Sequence, residues 1–222
     1  MSNLDKKIER AIKLIQSASK MATEHGQPLE VAVSGGKDSD VILELTKMAK
    51  VPYRAIYKCT TIDPPGTIKH VKERGCEVIR PEVPFGKLIA QKGWPSRRVR
   101  WCCAELKEYK ILDYAILGIR RDESVKRRER YKEPEQCRIY KKDEKVRQYF
   151  PILDWTKEDV AEFIALKGIK CHPLYYDEQG NFHAERRLGC IGCPMKDTKH
   201  RIAEFRKYPR FVHIYTRGGV FL

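Results

Sequence analysis

The sequence has no long hydrophobic run, and its apolar segments all fall short of the roughly 18 residues that a membrane-spanning helix needs. Its first residues, MSNLDKKIER, lack the apolar core of a secretory signal peptide. Internal repeats and low-complexity tracts are also missing. We therefore expect a cytoplasmic protein with no membrane partner. A length of 222 residues with 41% hydrophobic residues favours one domain with a buried core over a disordered chain.

Acidic residues are scarce, because 45 lysines and arginines face only 30 aspartates and glutamates, giving a net charge of +15. Such an excess favours polyanionic partners such as nucleic acid, although a solvated charged surface would also explain it. The basic residues concentrate at 97–100 and 120–132, and Arg186 and Arg187 add to them. The candidate contacts to nucleic-acid phosphates are Arg97, Arg98, Arg127 and Arg128.

Short apolar segments alternate with helical patterns along most of the chain. We predict strands at 29–34, 53–59, 76–83 and 114–121. The segment 156–168 predicts a helix with Thr156 as its N-cap and Gly168 at its end. This alternation predicts an α/β fold: an open, mostly parallel twisted sheet with helices on both faces.

The domain organisation that we expect is simple. Residues 1–27 form an N-terminal helix, and residues 28–222 form one nucleotide-binding domain whose C-terminal part is rich in cysteine. Residues 124–148 are polar, basic and without clear periodicity, so we interpret them as a mobile basic arm.

The segment VAVSGGKDSD, residues 31–40, carries the strongest local signal. It is not the G-x-x-x-x-G-K-[ST] phosphate loop, yet it joins a buried strand to a helix through Gly35 and Gly36. Glycines let the backbone N–H groups approach a ligand closely, and Lys37 adds a full positive charge. Ser34 and Ser39 add hydroxyl donors. The loop therefore predicts a site for phosphate, pyrophosphate or sulfate, although two glycines alone would fit a plain turn.

Four of the eight cysteines form two close pairs, Cys102 with Cys103 and Cys190 with Cys193. Four thiolates complete either a tetrahedral zinc site or an iron–sulfur cluster. Adjacent cysteine side chains diverge, which favours a cluster with several irons over a single zinc ion without excluding zinc. The other cysteines have no close partner in the sequence, and we expect structural thiols at Cys59, Cys76, Cys137 and Cys171.

The string SGGKDS resembles the PP-loop of the ATP pyrophosphatases and the sulfonucleotide reductases. WCCAELK followed by a distant GCIGCP resembles the [4Fe-4S] pattern of the adenylylsulfate-type reductases. GIRRDES at 118–124, FPILDWTKEDVAEFI and PLYYDEQG are similar to further segments of that family. The resemblance covers about residues 29–195. It implies the adenine nucleotide α-hydrolase type of sheet.

The resemblance also implies roles for particular residues. An adenine nucleotide, either ATP or an adenylyl sulfate with or without a 3′-phosphate, would occupy the loop, with Mg²⁺ accompanying ATP. The implied nucleotide-binding residues are Ser34, Gly35, Gly36, Lys37, Asp38, Ser39, Arg120 and Arg121. The implied catalytic residues are Lys37, Lys107 and Arg120. The implied ligands of a [4Fe-4S] cluster are Cys102, Cys103, Cys190 and Cys193.

The sequence departs from the reductases in one respect that bears on the reaction. Those enzymes use a nucleophilic cysteine on a C-terminal tail, in an E-C-G-[IL]-H-like motif, whereas no cysteine follows Cys193 here. The sequence is closer to reductase-like phage and bacterial proteins and to the ATP-pyrophosphatase component of DNA phosphorothioation systems.

Three functions therefore stay open. The first is an ATP pyrophosphatase that adenylates an acceptor, such as nucleic acid, for sulfur transfer from a donor protein such as a cysteine desulfurase. The second is a sulfonucleotide reductase that releases sulfite. The third is a subunit that binds a nucleotide and a cluster without catalysis.

Overall fold

A computed structural model describes residues 2–140 and 144–216 of the chain. Its centre is a six-stranded sheet. The strands are β1 Leu29–Val33, β2 Tyr53–Lys58, β3 Glu77–Ile79, β4 Tyr114–Leu117, β5 Glu135–Ile139 and β6 Lys145–Tyr149. They lie in the order β3-β2-β1-β4-β6-β5. Five strands run parallel, and β5 pairs antiparallel with β6 at the edge. The α/β class and the mostly parallel sheet predicted from the sequence are confirmed.

Nine α-helices lie within the described residues. They are α1 Asn3–Glu24, α2 Lys37–Ala49, α3 Thr67–Glu73, α4 Phe85–Lys92, α5 Trp101–Leu106, α6 Val125–Arg130, α7 Lys157–Lys167, α8 Thr198–Lys207 and α9 Arg210–Thr216. Thr156 caps α7 in a capping box with Asp159, and the helix ends at Gly168, as the sequence predicted. No helix in this part of the chain combines the length and the apolar character needed to cross a membrane.

The segment 124–148 differs from the mobile arm that we expected. Its described part contains the helix α6, the strand β5 and most of β6, which joins the sheet beside β4. Side chains of β6 alternate between exposed and buried, and Gln148 is buried where it bonds to Gln136 and Tyr140. The sequence looks irregular because polar groups satisfy one another on this hairpin at the edge of the sheet.

Three clusters of buried hydrophobic residues lie in the described part of the chain, and the smallest contains Tyr131, Phe150 and Leu153. The largest surrounds β1 and contains the buried faces of α1, α2 and α7, including Ile15, Leu43 and Phe163. The second core joins α4, α5 and α9 to the cysteine-rich turn and centres on Phe85 and Tyr215. The C-terminal helices are thus packed directly against the segment that carries Cys190 and Cys193.

Candidate functional site

The strand order places a crevice between β1 and β4. The chain runs from β1 outward through β2 to β3, and then returns to add β4 on the other side of β1. In open parallel sheets, ligands bind at such a reversal, outside the carboxyl ends of the strands. The segment 34–39 follows β1 and the segment 118–121 follows β4, so both predicted nucleotide-binding motifs lie at this crevice.

The loop after β1 has a backbone suited to an anion. Gly35 has a φ of 76°, which disfavours side chains, and a Cβ there would lie 2.9 Å from Thr67 Cγ2. The N–H of Gly36 donates to Ser34 Oγ at 3.4 Å, and that of Lys37 donates to the Tyr175 hydroxyl at 3.2 Å. A phosphate oxygen can replace such long bonds to hydroxyl groups.

Lys37 is buried at the start of α2. Its Nζ lies 3.5 Å from Asp38 Oδ2, 3.5 Å from the carbonyl oxygen of Arg186 and 5.3 Å from the centre of the Tyr175 ring. The side chain is 4% exposed, so its charge acts in a low dielectric, where an anion would be attracted more strongly than in water.

Arg120 reaches the loop indirectly. Its Nε donates to Asp38 Oδ1 at 2.6 Å, and its Nη1 bonds to Asp122 and to the carbonyl of Trp155. The side chain is 3% exposed. Arg120 therefore joins the two loops of the crevice through Asp38, where the resemblance had implied that it contacts the nucleotide.

Arg121 does not join the predicted nucleotide-binding residues. Its Nε donates to the carbonyl of Tyr131 at 2.8 Å, and its other nitrogens bond to Asp154 and to the carbonyl of Lys132. These contacts brace the turn after α6. The side chains of consecutive residues diverge after an extended strand end, so only one of the two arginines turns toward the loop.

Gly118 lets the two loops approach each other. A Cβ on this residue would lie 2.8 Å from both the carbonyl carbon and the carbonyl oxygen of Asp38, which are backbone atoms that cannot rotate away. We expect Gly118→Ala to lower the free energy of unfolding by about 1–3 kcal/mol, as overpacking does elsewhere. Urea unfolding measures the change. The control is Gly189→Ala, whose Cβ would lie 3.8 Å from the nearest atom, Cε of Lys196. An equal loss of unfolding free energy in both variants would contradict the close approach.

A buried polar cluster, which no sequence pattern indicated, lies behind the loop. Asp40 is fully buried and bonds to His70 Nε2 at 2.9 Å, and the rings of His70 and His172 meet edge to face. His172 in turn lies 3.4 Å from the Thr67 hydroxyl, beside Gly35. These contacts link the first turn of α2 to α3 and to the segment before Tyr175.

The cluster predicts a pH dependence of stability. Burial, with the nearby His70 ring, lowers the pKa of His172 from 6.5 to about 4. The unfolded chain therefore takes up this proton first as the pH falls, and stability is lost between pH 6.5 and 4, by up to about 3 kcal/mol. Urea unfolding across this range should show a shallower slope for His172→Gln than for wild type. The exposed His213→Gln should keep the wild-type slope, and equal slopes for all three proteins would contradict the assignment.

The four paired cysteines meet at one cavity. Cys102, Cys103, Cys190 and Cys193 line it together with Lys107, and its empty volume, including the part open to solvent, is about 320 Å³. The two pairs come from α5 and from the turn before α8, far apart in sequence. Among residues 2–140 and 144–216, however, no three His, Cys, Asp or Glu side chains are grouped as ligands for one metal ion. Within that part of the chain, the four thiols line the cavity without forming a grouped metal site, either for one zinc ion or for the predicted cluster.

Positive groups surround these thiols. The pKa of Cys103 lies well below the usual value of a thiol, because Cys102 donates a hydrogen bond to it and the Arg100 guanidinium lies 3.3 Å from the Cys103 sulfur. Burial lowers the pKa of Lys107, but the Cys190 thiol and Asp63 outweigh burial and leave it raised. The hydrogen bond to Cys103 and burial raise the pKa of Cys102, and burial raises the pKa of Cys193. The arrangement therefore favours the thiolate, the form in which cysteine binds metal, at Cys103 over Cys102 and Cys193.

The family of the chain follows from a comparison with known domains. Residues 28–196 match the phosphoadenosine phosphosulfate reductase domain. The chain belongs to this family. The matched range contains the loop after β1, the loop after β4 and all four cysteines of the cavity.

Relatives of this reductase-domain chain include sulfate adenylyltransferase subunit 2 of Yersinia pestis, 28% identical over 70% of this chain and 62% of that protein. An uncharacterized protein of Methanocaldococcus jannaschii is 28% identical over 86% of this chain but 47% of its own length. The chain thus spans about half to two-thirds of the length of these relatives.

Solved structures support the fold of the reductase domain. Phosphoadenylyl-sulfate reductase from Candida auris superposes with a TM-score of 0.54 at 16% identity, covering 87% of this chain and 97% of that one. Candida glabrata FMN adenylyltransferase gives 0.51 at 15% identity, covering 85% and 63%. At such identities the likeness concerns the fold alone.

The four arginines predicted to contact nucleic acid occupy two places on this reductase-domain chain. Arg97 donates to the carbonyls of Pro194 and Lys196, and Arg98 beside it is exposed. Arg127 on α6 pairs with Glu123, which precedes the helix, and Arg128 is exposed. The sequence did not indicate Tyr175, whose hydroxyl accepts from Lys37 and Leu188 and so ties the loop to the segment before the second cysteine pair.

Proposed function

We propose that the protein is a PP-loop ATP pyrophosphatase that adenylates an acceptor for sulfur transfer. The observation that carries the proposal is the loop 34–39 at the crevice between β1 and β4, with Gly35 at positive φ and Lys37 buried behind it. Membership in a family that acts on adenine nucleotides supports it.

The loop residues would hold the β- and γ-phosphates of ATP. The amides of Gly36 and Lys37 would exchange their bonds to hydroxyls for bonds to phosphate oxygens, while Ser34 and Ser39 donate from the rim. Asp38, fixed by Arg120, keeps the first turn of α2 in place. Mg²⁺ would enter bound to the triphosphate, since it usually keeps water and substrate phosphates as ligands.

The chemistry follows from this placement. An acceptor oxygen attacks the α-phosphorus and pyrophosphate leaves, its charge stabilised by Lys37 and the loop amides. A persulfide sulfur from a donor such as a cysteine desulfurase then displaces AMP, and a thiol reductant cleaves the remaining S–S bond. The charge of +15 supports nucleic acid as the acceptor.

We propose that the cysteine cavity holds a [4Fe-4S] cluster in place of a single zinc ion. Four thiols line this one cavity, and each iron of a cubane takes one cysteine. Cys102, Cys103, Cys190 and Cys193 would hold the cluster, with Lys107 and Arg100 balancing its negative charge. Such a cluster supplies a site for sulfur or for electrons.

A second candidate is reduction of adenylyl sulfate or its 3′-phosphorylated form to sulfite. The match to a reductase domain favours it. The products separate the two functions: AMP and pyrophosphate released from ATP with an acceptor support the pyrophosphatase, and sulfite released from adenylyl sulfate with a thiol supports the reductase. Nucleotide binding with neither product would leave a non-catalytic subunit. The assays need anaerobically prepared protein.

A further inference from the structure

A second cleft opens beside the cysteine cavity. Its empty volume, including the part open to solvent, is about 750 Å³. Polar side chains from the loop before α5 and from the start of α8 line it. They are Ser96, Arg97, Lys196, Asp197, Thr198 and Arg201. None of these residues belongs to the crevice between β1 and β4.

The cleft carries a positive charge that its own acidic groups do not cancel. Lys196 pairs with Glu204, and the carboxylate of Asp197 accepts hydrogen bonds from His200. Arg97 donates to the backbone carbonyls of Pro194 and Lys196, and no carboxylate within the described ranges 2–140 and 144–216 forms an ion pair with it. The buried Nε of Arg201 has no hydrogen-bond partner within residues 2–140 and 144–216. A guanidinium placed in this way is suited to a phosphate.

Exposed apolar residues lie next in sequence to residues that line this cleft, and one of them, Trp94, has its ring against that of Tyr215. Trp94 and Met195 adjoin lining residues in sequence and are 36% and 52% exposed. Ile202 follows Arg201 and is 46% exposed, and Val99 closes a tight turn with Ser96. Unstacked bases pack on such surfaces, whereas a duplex hides its bases. A cationic cleft whose lining residues are flanked in sequence by exposed aromatic and aliphatic side chains is therefore suited to a single strand.

The cleft adjoins the cysteine cavity. Pro95 and Pro194 line both spaces, one on each side. Arg97 joins these two sides by donating to the carbonyl of Pro194 at 3.1 Å. A strand held by its phosphates in the cleft would thus present a neighbouring nucleotide to the four thiols.

We propose that this cleft binds single-stranded nucleic acid, with phosphates on Arg97 and Arg201 and a base against Trp94. The cleft would be the place where the acceptor binds, so the inference rests on the proposed function. The strand lies over the cysteine cavity, and ATP lies in the separate crevice at the loop 34–39.

The test measures the affinity of the full chain for a fluorescein-labelled single-stranded DNA of about 16 nucleotides, over a series of salt concentrations. Arg97→Gln with Arg201→Gln should bind at least tenfold more weakly at physiological salt. The slope of log affinity against log salt should fall by about 1.4, because each lost phosphate contact removes about 0.7. Lys20→Gln with Lys69→Gln is the matched control, since it removes two charges from α1 and α3 and should bind as wild type does.

Tryptophan fluorescence gives an independent readout. Trp101 and Trp155 are buried, so the DNA should quench mainly Trp94, and Trp94→Phe should lose the quenching. The inference would be overturned if the cleft and control variants lost equal affinity for the DNA, or if that affinity depended on Arg127 and Arg128 instead. Displacement of the DNA by stoichiometric pyrophosphate would also overturn it. ATP binding and iron content, measured on the same variants, check folding. Absence of pyrophosphate release from ATP in wild type would overturn the proposed function while leaving the DNA result to stand by itself.

Discussion

Replacing Lys37 by alanine is expected to weaken ATP binding roughly ten- to a hundredfold. A hydrogen bond to a charged group contributes about 1.5–3 kcal/mol, and the lysine supplies the full positive charge that begins α2. Because Lys37 is 4% exposed, solvent cannot replace that charge once the side chain is gone. Affinity for adenylyl sulfate should fall similarly, since the same loop would hold its sulfate end.

Isothermal titration calorimetry with ATP and Mg²⁺ measures the loss of affinity. Lys69→Ala, on the exposed face of α3, removes an equal charge and should keep the wild-type affinity. Lys37→Arg is a second comparison, because it keeps the charge but does not fit the space between Asp38 and the Tyr175 ring. Unchanged affinity in Lys37→Ala, with wild-type unfolding behaviour, would rule out the loop as the phosphate site.

The fold and the loop could be predicted because their signals are local. Buried parallel strands appear as short apolar runs, and β1, β2 and β4 lie within the segments predicted from composition. The glycine pair of SGGKDS directly specifies a turn that exposes backbone amides. The sequence also indicated that the two distant pairs of cysteines meet at one place, because the close spacing within each pair suits a shared centre.

Other features depend on contacts that no local pattern encodes. The pairing of β5 with β6 is stabilised by Gln136, Gln148 and Tyr140, residues whose polarity indicates a loop when each is considered alone. Arg120 bonds to Asp38, whereas Arg121 bonds to the carbonyl of Tyr131. This difference depends on the side of the strand end from which each side chain extends. The buried contact of Asp40 with His70 joins residues 30 positions apart.

The cysteine cavity and the crevice share structural supports, which explains why the fold keeps them together. Tyr175 fixes both the amide of Lys37 and that of Leu188, two residues before Cys190. The carbonyl of Ile62, in the loop after β2, accepts from Ile191 between the second pair of cysteines at 2.8 Å. A shift of the cysteine turn would therefore be transmitted to the nucleotide loop through a short chain of hydrogen bonds.

Replacing Cys190 by serine should prevent binding of the proposed cluster. The Cys190 sulfur lies 3.5 Å from the Thr60 hydroxyl and beside Lys107, so a serine there keeps the volume and the neighbouring polar contacts. A serine hydroxyl stays protonated at neutral pH, however, and iron–sulfur clusters select soft thiolate ligands. We expect anaerobically prepared wild type to contain about four irons and four sulfides per chain, and the variant less than one of each.

Metal and sulfide analysis, together with the visible absorption, measures this outcome without an activity assay. Cys137→Ser is the matched control, because Cys137 is exposed on β5 and does not line the cavity, so it should keep the full iron content. Full iron and sulfide in Cys190→Ser would disprove the assignment. One zinc per wild-type chain in place of iron would show that the thiols move together to enclose a single ion, against the divergence of Cys102 and Cys103 from one centre.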